Sequence, residues 1–328
     1  MDLRTNYLGF TLQNPIIVGS CGYTYSVKDV KSLVENGAAA IVLKSIFEEE
    51  ILWEMESNLA QMQRPMTIYP EIYDFFDLET IEDSVTKYLN LISECKKEVD
   101  VPIIASVNCI SSHEWVSFAR RIEEAGADAL ELNIFIMPSD LNRTSQENEK
   151  MYFEIIDSVL SVAKIPVAVK LSYYFTNLAS MIKQISERGV KGIVLFNRFF
   201  EPDFDLDTFT VVPTNVLSSP SDLGKSLRWI AIMSERVNCD LCASTGVHDG
   251  KAVIKQILAG AKAVQIASAI YRKGPKVIGE MLEEIKNWMN EKGFNSLDDF
   301  RGRMSQSRSL NPAAYERAQF MHYFSEKF

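Results

Sequence analysis

The sequence predicts an α/β protein of the (β/α)8 TIM barrel class, and three observations lead to that prediction. Eight short apolar runs recur along the 328 residues, and amphipathic stretches separate most of them. Near-continuous runs rich in β-branched residues are typical of parallel strands that are buried on both faces. Four of the runs are preceded by a glycine that can end a helix, namely Gly37, Gly126, Gly189 and Gly260. Eight strand–helix units are the number that closes a barrel.

The elements follow one another in a regular order. The predicted strands are residues 15–20, 39–45, 102–107, 128–134, 166–172, 192–197, 239–244 and 262–268. The first helix begins after Ser26, a residue type that caps helix N-termini, and stops at Gly37. A doubly wound open sheet is the alternative, but no GxGxxG motif follows the first run.

Several segments exceed a minimal barrel. We expect a hairpin-like extension at the N-terminus and helices packed on the outside after residue 294, where "SLDDF" resembles a capped helix start. Aromatic-rich residues 46–78 form an insertion after the second strand, and residues 198–221 form another after the sixth. Long loops of this kind tend to serve as lids or interfaces. The whole chain, residues 1–328, is predicted to be a single domain.

Composition and charge argue against several classes of function. The net charge is −10 and no run of Lys and Arg occurs, so nucleic acid and anionic membranes are not expected partners. No apolar stretch approaches the roughly 18 residues of a membrane span. Five scattered cysteines predict a reduced, cytoplasmic protein. Cys239 and Cys242 form a single CxxC in a strand-like segment, and the three histidines are far apart, so no metal site is expected.

Polar residues gather where the predicted strands end, which is where barrels place their chemistry. These residues are Ser20, Gly22, Lys44, Ser45, Asn108, Glu131, Asn133, Lys170, Ser172, Asn197, Arg198, Ser244, Thr245, Gly246, Ala267 and Ser268. Two lysines among amides at one mouth indicate a site for a small-molecule substrate. The small-residue turns after the seventh and eighth strands predict a phosphate cradle built from backbone N–H groups.

Several of these segments resemble the dihydroorotate dehydrogenase family, specifically its soluble class 1 type. They are "NPIIVGSCG", "VLKS", "ALELN", "VAVKLS" and "ASTGVHDGKAVIKQILAGAKAVQIASAIY". "ASVNCIS" and "GADALELN" also resemble the pyrimidine-reducing domain of dihydropyrimidine dehydrogenase. The resemblance covers essentially the whole chain. It implies an FMN-binding barrel that oxidises dihydroorotate to orotate in pyrimidine biosynthesis, and a homodimer or a pairing with an electron-transferring iron–sulfur subunit.

The resemblance also implies roles for individual residues. Flavin contacts are implied for Ser20, Gly22, Lys44, Ser45, Asn133, Lys170, Thr245, Gly246, Ala267 and Ser268. Substrate contacts are implied for Lys44, Asn133 and Asn197, and Arg198 beside Asn197 is a further substrate-binding candidate. Lys170 would lie beside the N1/O2 edge of the flavin, where a cation stabilises the anionic reduced form. Its position alone also fits the Schiff-base lysine of a barrel aldolase, which is an alternative function.

The chain departs from the family at the active-site base. The family loop after the fourth strand reads approximately "ELNLSCPN" and carries a Cys or Ser base, whereas this chain has "ELNIFIMPSD". Aligned without a gap, Phe135 and Ile136 take the positions of the Ser and the Cys; with the prolines matched, Met137 takes the position of the base. None of the three can accept a proton. Candidate replacements are Ser139, Asp140 and Cys109.

A second departure affects the substrate side. The family supplies an asparagine from an "NSMGLPN"-like loop after the second strand, and "TIYPEIYDFFD" here contains none. Tyr69, Tyr73, Phe75 and Phe76 suggest a more aromatic pocket, and Arg198 either binds an anionic group or covers the rim. We therefore predict a retained cofactor side and an altered substrate. A flavin-binding protein without catalysis is the alternative.

Overall fold

The computed structural model describes residues 1–47, 84–109, 115–199, 201–214 and 216–316. The strands in chain order are β1 (Thr5–Tyr7), β2 (Phe10–Leu12), β3 (Ile16–Val18), β4 (Ala40–Val42), β5 (Ile46–Phe47), β6 (Ile103–Cys109), β7 (Ala129–Ile134), β8 (Val167–Leu171), β9 (Gly192–Leu195), β10 (Glu201–Asp205), β11 (Thr210–Thr214), β12 (Asp240–Ser244) and β13 (Ala263–Ile266). The α-helices are α1 (Val27–Glu35), α2 (Ser84–Glu98), α3 (Trp115–Glu124), α4 (Ser145–Leu160), α5 (Leu178–Ser186), α6 (Leu223–Met233), α7 (Gly250–Ala259), α8 (Ser268–Lys273) and α9 (Val277–Lys292).

Eight parallel strands close into a barrel. The neighbours around it are β3, β4, β6, β7, β8, β9, β12 and β13, and β13 pairs back with β3. All eight predicted strands are therefore confirmed, and so is the (β/α)8 TIM barrel. Short β5 extends the barrel by pairing with the end of β6.

Helix ends lie where the sequence predicts them. Ser26 caps α1 by accepting a hydrogen bond from the Asp29 backbone N–H. The four glycines ahead of strands all adopt positive φ, between 96° and 118°. This conformation lets each helix stop and the chain turn back into the next strand, because a residue without Cβ adopts it at little cost.

The N-terminal hairpin covers the end of the barrel opposite to the strand C-termini. The strands β1 and β2 pair antiparallel, and Tyr7, Leu8 and Leu12 join a buried cluster inside the barrel. Backbone N–H of Leu8 donates to Asp240 at the start of β12, at 2.9 Å. A second, larger apolar cluster fills the layer between strands and helices. The predicted extension is thus confirmed as a plug at the N-terminal end of the barrel.

The remaining additions differ in detail from the prediction. Residues 198–221 contain the antiparallel pair β10 and β11 and end at a 3-10 helix, Pro220–Asp222. Between residue 294 and residue 316, where the description ends, the helices are the 3-10 type, Leu297–Asp299 and Pro312–Tyr315. Apart from Ile46 and Phe47, the insertion at 46–78 lies outside the described residues, so a single domain over residues 1–328 stays a prediction. Among the helices that are described, none is both long and apolar enough to cross a bilayer.

Candidate functional site

A cavity of about 500 Å3 lies at the C-terminal ends of the barrel strands. Nine residues of the predicted polar ring line it, namely Ser20, Lys170, Asn197, Arg198, Ser244, Thr245, Gly246, Ala267 and Ser268. Its other lining residues are Cys21, Val216, Leu217, Ser218, Val247, Gln265, Ile266 and Tyr271. The volume lies within the range of roughly 300–1,000 Å3 that is typical of small-molecule and cofactor pockets. Side chains from distant parts of the chain therefore meet where the sequence predicts a site.

Three buried polar side chains form the floor of this cavity. Lys170 Nζ donates to Gln265 Oε1 at 2.9 Å, and Gln265 Nε2 donates to Glu131 Oε2. The second carboxylate oxygen, Oε1, lies 3.6 Å from Lys170 Nζ. Because β7, β8 and β13 carry these residues, the barrel itself fixes their relative positions. The floor is an amide-bridged ion pair whose cation faces the cavity.

Gln265 was not among the predicted site residues. It stands inside the apolar run of β13 and is only 2% exposed. A buried amide requires hydrogen-bonding partners, so a glutamine within a strand buried on both faces was the available signal. Gly19 lies beside it, because a Cβ at that position would come within 3.1 Å of Gln265 Oε1.

Ser218 marks the opposite end of the cavity, near the predicted phosphate cradle. Its Oγ accepts a hydrogen bond from the Gly246 backbone N–H at 3.3 Å, and its own N–H donates to Ser268 Oγ at 2.9 Å. Arg272 Nη2 donates to the Ser218 carbonyl at 3.3 Å. Sequence reasoning missed Ser218 and Arg272, although "SSPSD" before α6 has the residues of a helix cap. This end presents serine hydroxyls, with the Arg272 guanidinium beside them, and both are groups that recognise phosphate.

His248 packs against the same end. Its Nε2 lies 3.2 Å from Ser218 Oγ, and the residue is 7% exposed. Burial and then the positive charge of Arg272 lower the pKa of His248 below the ordinary 6.5. The imidazole is therefore neutral at neutral pH, where it can share a hydrogen bond with Ser218.

Acid should destabilise the protein through His248. The pKa is lower in the folded state than in the unfolded state, so protons favour the unfolded chain and stability falls as the pH drops below about 6.5. His248→Gln keeps a hydrogen-bonding side chain that does not titrate. Its free energy of unfolding in urea should therefore fall less than that of the wild type between about pH 7.5 and pH 5.5. Equal losses in the two proteins would contradict this assignment.

The first loop forms one wall of the site. Ser20 Oγ accepts from the Ser45 backbone N–H at 2.8 Å, and Ser45 Oγ lies 2.8 Å from Ser106 Oγ. Gly22 does not line the cavity; its N–H donates to Tyr271 Oη at 2.6 Å, and a Cβ there would overlap that oxygen. The wall is thus a hydroxyl chain followed by a close approach of the Gly22 backbone to the Tyr271 hydroxyl.

Lys44 lies apart from the cavity lining. It is exposed, and its Nζ is 4.5 Å from the centre of the Tyr25 ring, a cation–π contact. Its implied flavin and substrate contacts stay predictions.

An aromatic cluster lies at the loops after β7, β8 and β9. Phe135 and Phe199 stack with ring centroids 3.9 Å apart, and Tyr174 lies 6.2 Å from each of them. Close by, Asn197 Nδ2 donates to Asn133 Oδ1 at 2.6 Å. The two predicted amides therefore come together, and the residue at the family's serine position packs against a ring from another loop.

The candidate replacement bases lie at the surface where they are described. Ser139 and Asp140 are exposed, and Asp140 Oδ1 accepts from the Asn142 backbone N–H at 2.9 Å within its own turn. Asp140 also pairs with Arg143 at 3.7 Å. Cys109 ends β6 beside Ile134, and its side chain lies outside the described residues. Ile136 packs against the core and Met137 is 53% exposed. A proton acceptor at this loop stays a prediction.

Comparison with known proteins gives consistent matches over most of the chain. A family model described as "Dihydroorotate dehydrogenase" matches residues 77–289. The chain is 26% identical over 314 residues to "Dihydroorotate dehydrogenase B (NAD(+)), catalytic subunit" of Thermoplasma volcanium, covering 92% of this chain and 98% of that protein. Proteins with the same description from Methanocaldococcus jannaschii and Bacillus cytotoxicus are 25% and 26% identical, covering 89% and 92% of this chain and 95% and 96% of those proteins.

Proposed function

The chain belongs to the dihydroorotate dehydrogenase family, and from this premise we propose that it is an FMN-dependent oxidoreductase acting on a CH–CH bond. One observation carries the proposal: Lys170 faces a cavity of about 500 Å3 and is held there by Gln265 and Glu131. This is the lysine that resemblance places beside the flavin. A buried ammonium at that position suits a cofactor whose reduced form is an anion.

The groups present around the cavity fit FMN. The floor offers a cation, and the far end offers the hydroxyls of Ser218 and Ser268 to a phosphate, with Arg272 beside them outside the lining. Gly246 approaches α6 so closely that a Cβ would come within 2.2 Å of the Leu223 backbone nitrogen, which leaves its N–H facing the serine hydroxyl. We propose that Ser20, Thr245 and Ala267, which line the cavity, complete the flavin site. From the resemblance we also propose flavin contacts for Gly22 and Ser45, and substrate contacts for Lys44 and Asn133, although these four lie outside the lining.

Bound FMN would supply the hydride acceptor, and the chain's own residues would do the rest. Lys170 would hold positive charge at the floor. Asn133 and Asn197 present amide groups at the substrate side, and Phe135 with Phe199 would exclude water from it. Arg198 lies at the rim, where its guanidinium contacts Asp222 at 3.4 Å. That contact favours covering the rim over binding an anionic substrate.

We propose that the substrate is less polar than dihydroorotate. Phe135 stands in the loop where the family has a serine or cysteine, and it packs against Phe199 and Tyr174 from two other loops. Since no thiol, hydroxyl or carboxylate stands at positions 135–137, dihydroorotate itself should react about 10²–10⁴-fold more slowly than in relatives that carry the base.

The absorption spectrum of the purified chain tests the cofactor, and anaerobic mixing tests the substrate. We expect a yellow protein that releases about one FMN per chain on heating. Dihydroorotate should bleach the flavin over minutes to hours, and a less polar dihydropyrimidine such as dihydrouracil should bleach it faster. A colourless chain that takes up no added FMN would sink the cofactor proposal; faster bleaching by dihydroorotate would sink the substrate proposal.

A flavin-binding protein without catalysis is the second candidate. The stacking of Phe135 on Phe199 favours it, because Phe135 belongs to the loop that carries the base in the family. Under this alternative, photoreduced flavin would not be reoxidised by organic acceptors such as fumarate or a quinone. Rapid reoxidation by either acceptor would favour the oxidoreductase.

The Schiff-base alternative uses Lys170 differently. It requires a neutral amine that is free to attack a carbonyl, whereas Lys170 Nζ donates to Gln265 and lies 3.6 Å from a buried carboxylate. Borohydride trapping with a phosphorylated sugar should therefore label no adduct at Lys170.

We propose binding partners for this chain from the descriptions of its relatives. The relatives named above are catalytic subunits of an NAD(+)-linked enzyme, so we propose an electron-transfer partner for this chain, either as a homodimer or in a mixed complex, in the cytoplasm. Co-purification from cells of origin, followed by NADH reduction of the flavin, would identify such a subunit.

A further inference from the structure

Glu131 is a buried carboxylate that the proposed reaction does not use. It is 1% exposed, and β7 places it beneath Lys170 inside the barrel. Oε2 accepts from Gln265, whereas Oε1 has no hydrogen-bond donor in the described residues and faces Lys170 Nζ at 3.6 Å. A carboxylate is costly to bury unless a cation and hydrogen bonds compensate for the lost water. Its placement beneath the cofactor lysine therefore calls for an explanation.

The groups around Glu131 make Lys170 the charged partner of its carboxylate. Gln265 uses both ends of its amide, accepting from the lysine and donating to the carboxylate, so it ties the two charges together. Tyr7, Tyr88 and Cys242 are nearby buried groups; burial raises the pKa of each, and the Glu131 charge raises it further. They are neutral, so within the described residues Lys170 is the cation that compensates Glu131.

We propose that Glu131 is a positioning residue that sets the reduction potential of the bound flavin. Through Gln265 it holds Lys170 Nζ at the floor and offsets part of its positive charge. This inference rests on the proposed function, because it assumes that Lys170 contacts FMN. The lysine favours the anionic reduced flavin, and the carboxylate beneath it limits that preference.

The direction of the effect follows from the charges. Glu131→Gln removes the negative charge and keeps a side chain of nearly the same shape, so Lys170 stabilises the reduced flavin more strongly. We expect at least a tenfold increase in the ratio of reduced to oxidised flavin at a fixed potential. For a two-electron couple this equals a rise of about 30 mV.

The test is the midpoint potential of FMN-loaded protein, measured by slow anaerobic reduction in equilibrium with a reference dye. E131Q should raise the potential, and Cys242→Ala, a matched change inside the barrel that alters no charge, should leave it within about 10 mV, roughly a twofold change in the ratio. The double variant E131Q/K170M should lie below the wild type, because it lacks both charges and Lys170, which lines the cavity, outweighs the more deeply buried Glu131 in the wild type.

Each outcome decides the inference. A potential that is unchanged or lower in E131Q, or a double variant at or above the wild type, overturns it while leaving FMN binding intact. If E131Q does not fold, Glu131→Asp decides: its shortened carboxylate should give a smaller rise, and no rise overturns the inference. A wild-type chain that takes up no FMN would overturn the proposed function first, and this inference with it.

Discussion

Replacing Gly246 with alanine is expected to lower the free energy of unfolding by about 2–6 kcal/mol, the combined effect of backbone strain and overpacking. Gly246 has φ of +81°, which side chains rarely adopt, and an added Cβ would come within 2.2 Å of the Leu223 backbone nitrogen. Neither the turn nor α6 can move without displacing Ser218 from the cavity. Urea denaturation of the chain without cofactor measures the loss.

Gly224 provides the matched control for this experiment. It is exposed in the first turn of α6, one residue from the point of contact, and nothing lies within 4 Å of an added Cβ. Gly224→Ala should leave the protein equally stable or stabilise it by about 0.4–1 kcal/mol, because alanine loses less backbone freedom on folding. If both alanine variants lose stability equally, the close approach at Gly246 is not the cause.

Lys170→Met is expected to destabilise the chain without cofactor by about 3–5 kcal/mol, because it leaves the Glu131 carboxylate buried without its cation. The change of the other partner, Glu131→Gln, should lower the free energy of unfolding by less. In Glu131→Gln the remaining charge belongs to Lys170, which lines the cavity and so has access to water. Comparing the two variants by urea denaturation therefore tests which partner of the pair is the more deeply buried.

The double variant separates this electrostatic effect from lost packing. Lys170→Met with Glu131→Gln leaves an uncharged interior of similar volume and should recover most of the stability lost by Lys170→Met. A double variant as unstable as Lys170→Met alone would show that packing around the lysine stem, rather than the unpaired charge, causes the loss.

The barrel was predictable because its signals are local. Each strand is a short apolar run, and each of the four glycines that precede a strand has the positive φ that its position requires. The residues at the strand ends were predictable for the same reason, since parallel strands in a barrel all end on one face. Knowing the order of strands was enough to bring Ser20, Lys170 and Ser268 to one cavity.

The site features that could not be predicted from the sequence depend on contacts between distant segments. Gln265 looks like an interruption of an apolar strand until β7 and β8 bring Glu131 and Lys170 beside it. Ser218 belongs to a long insertion whose path no periodicity fixes, yet it bonds to the turn after β12. The stacking of Phe135 on Phe199 likewise joins two loops that are more than 60 residues apart. Such pairs become visible only in three dimensions.

The N-terminal plug has a kinetic consequence. The N-terminal end of the barrel is filled by Tyr7, Leu8 and Leu12. Small molecules therefore approach the cavity from the opposite end, where the strands have their C-termini. If an electron donor and an electron acceptor both use this cavity and both enter at the end that the described residues leave open, they take turns there. Alternating occupancy of that kind gives ping-pong kinetics, in which the first product departs before the second reactant enters.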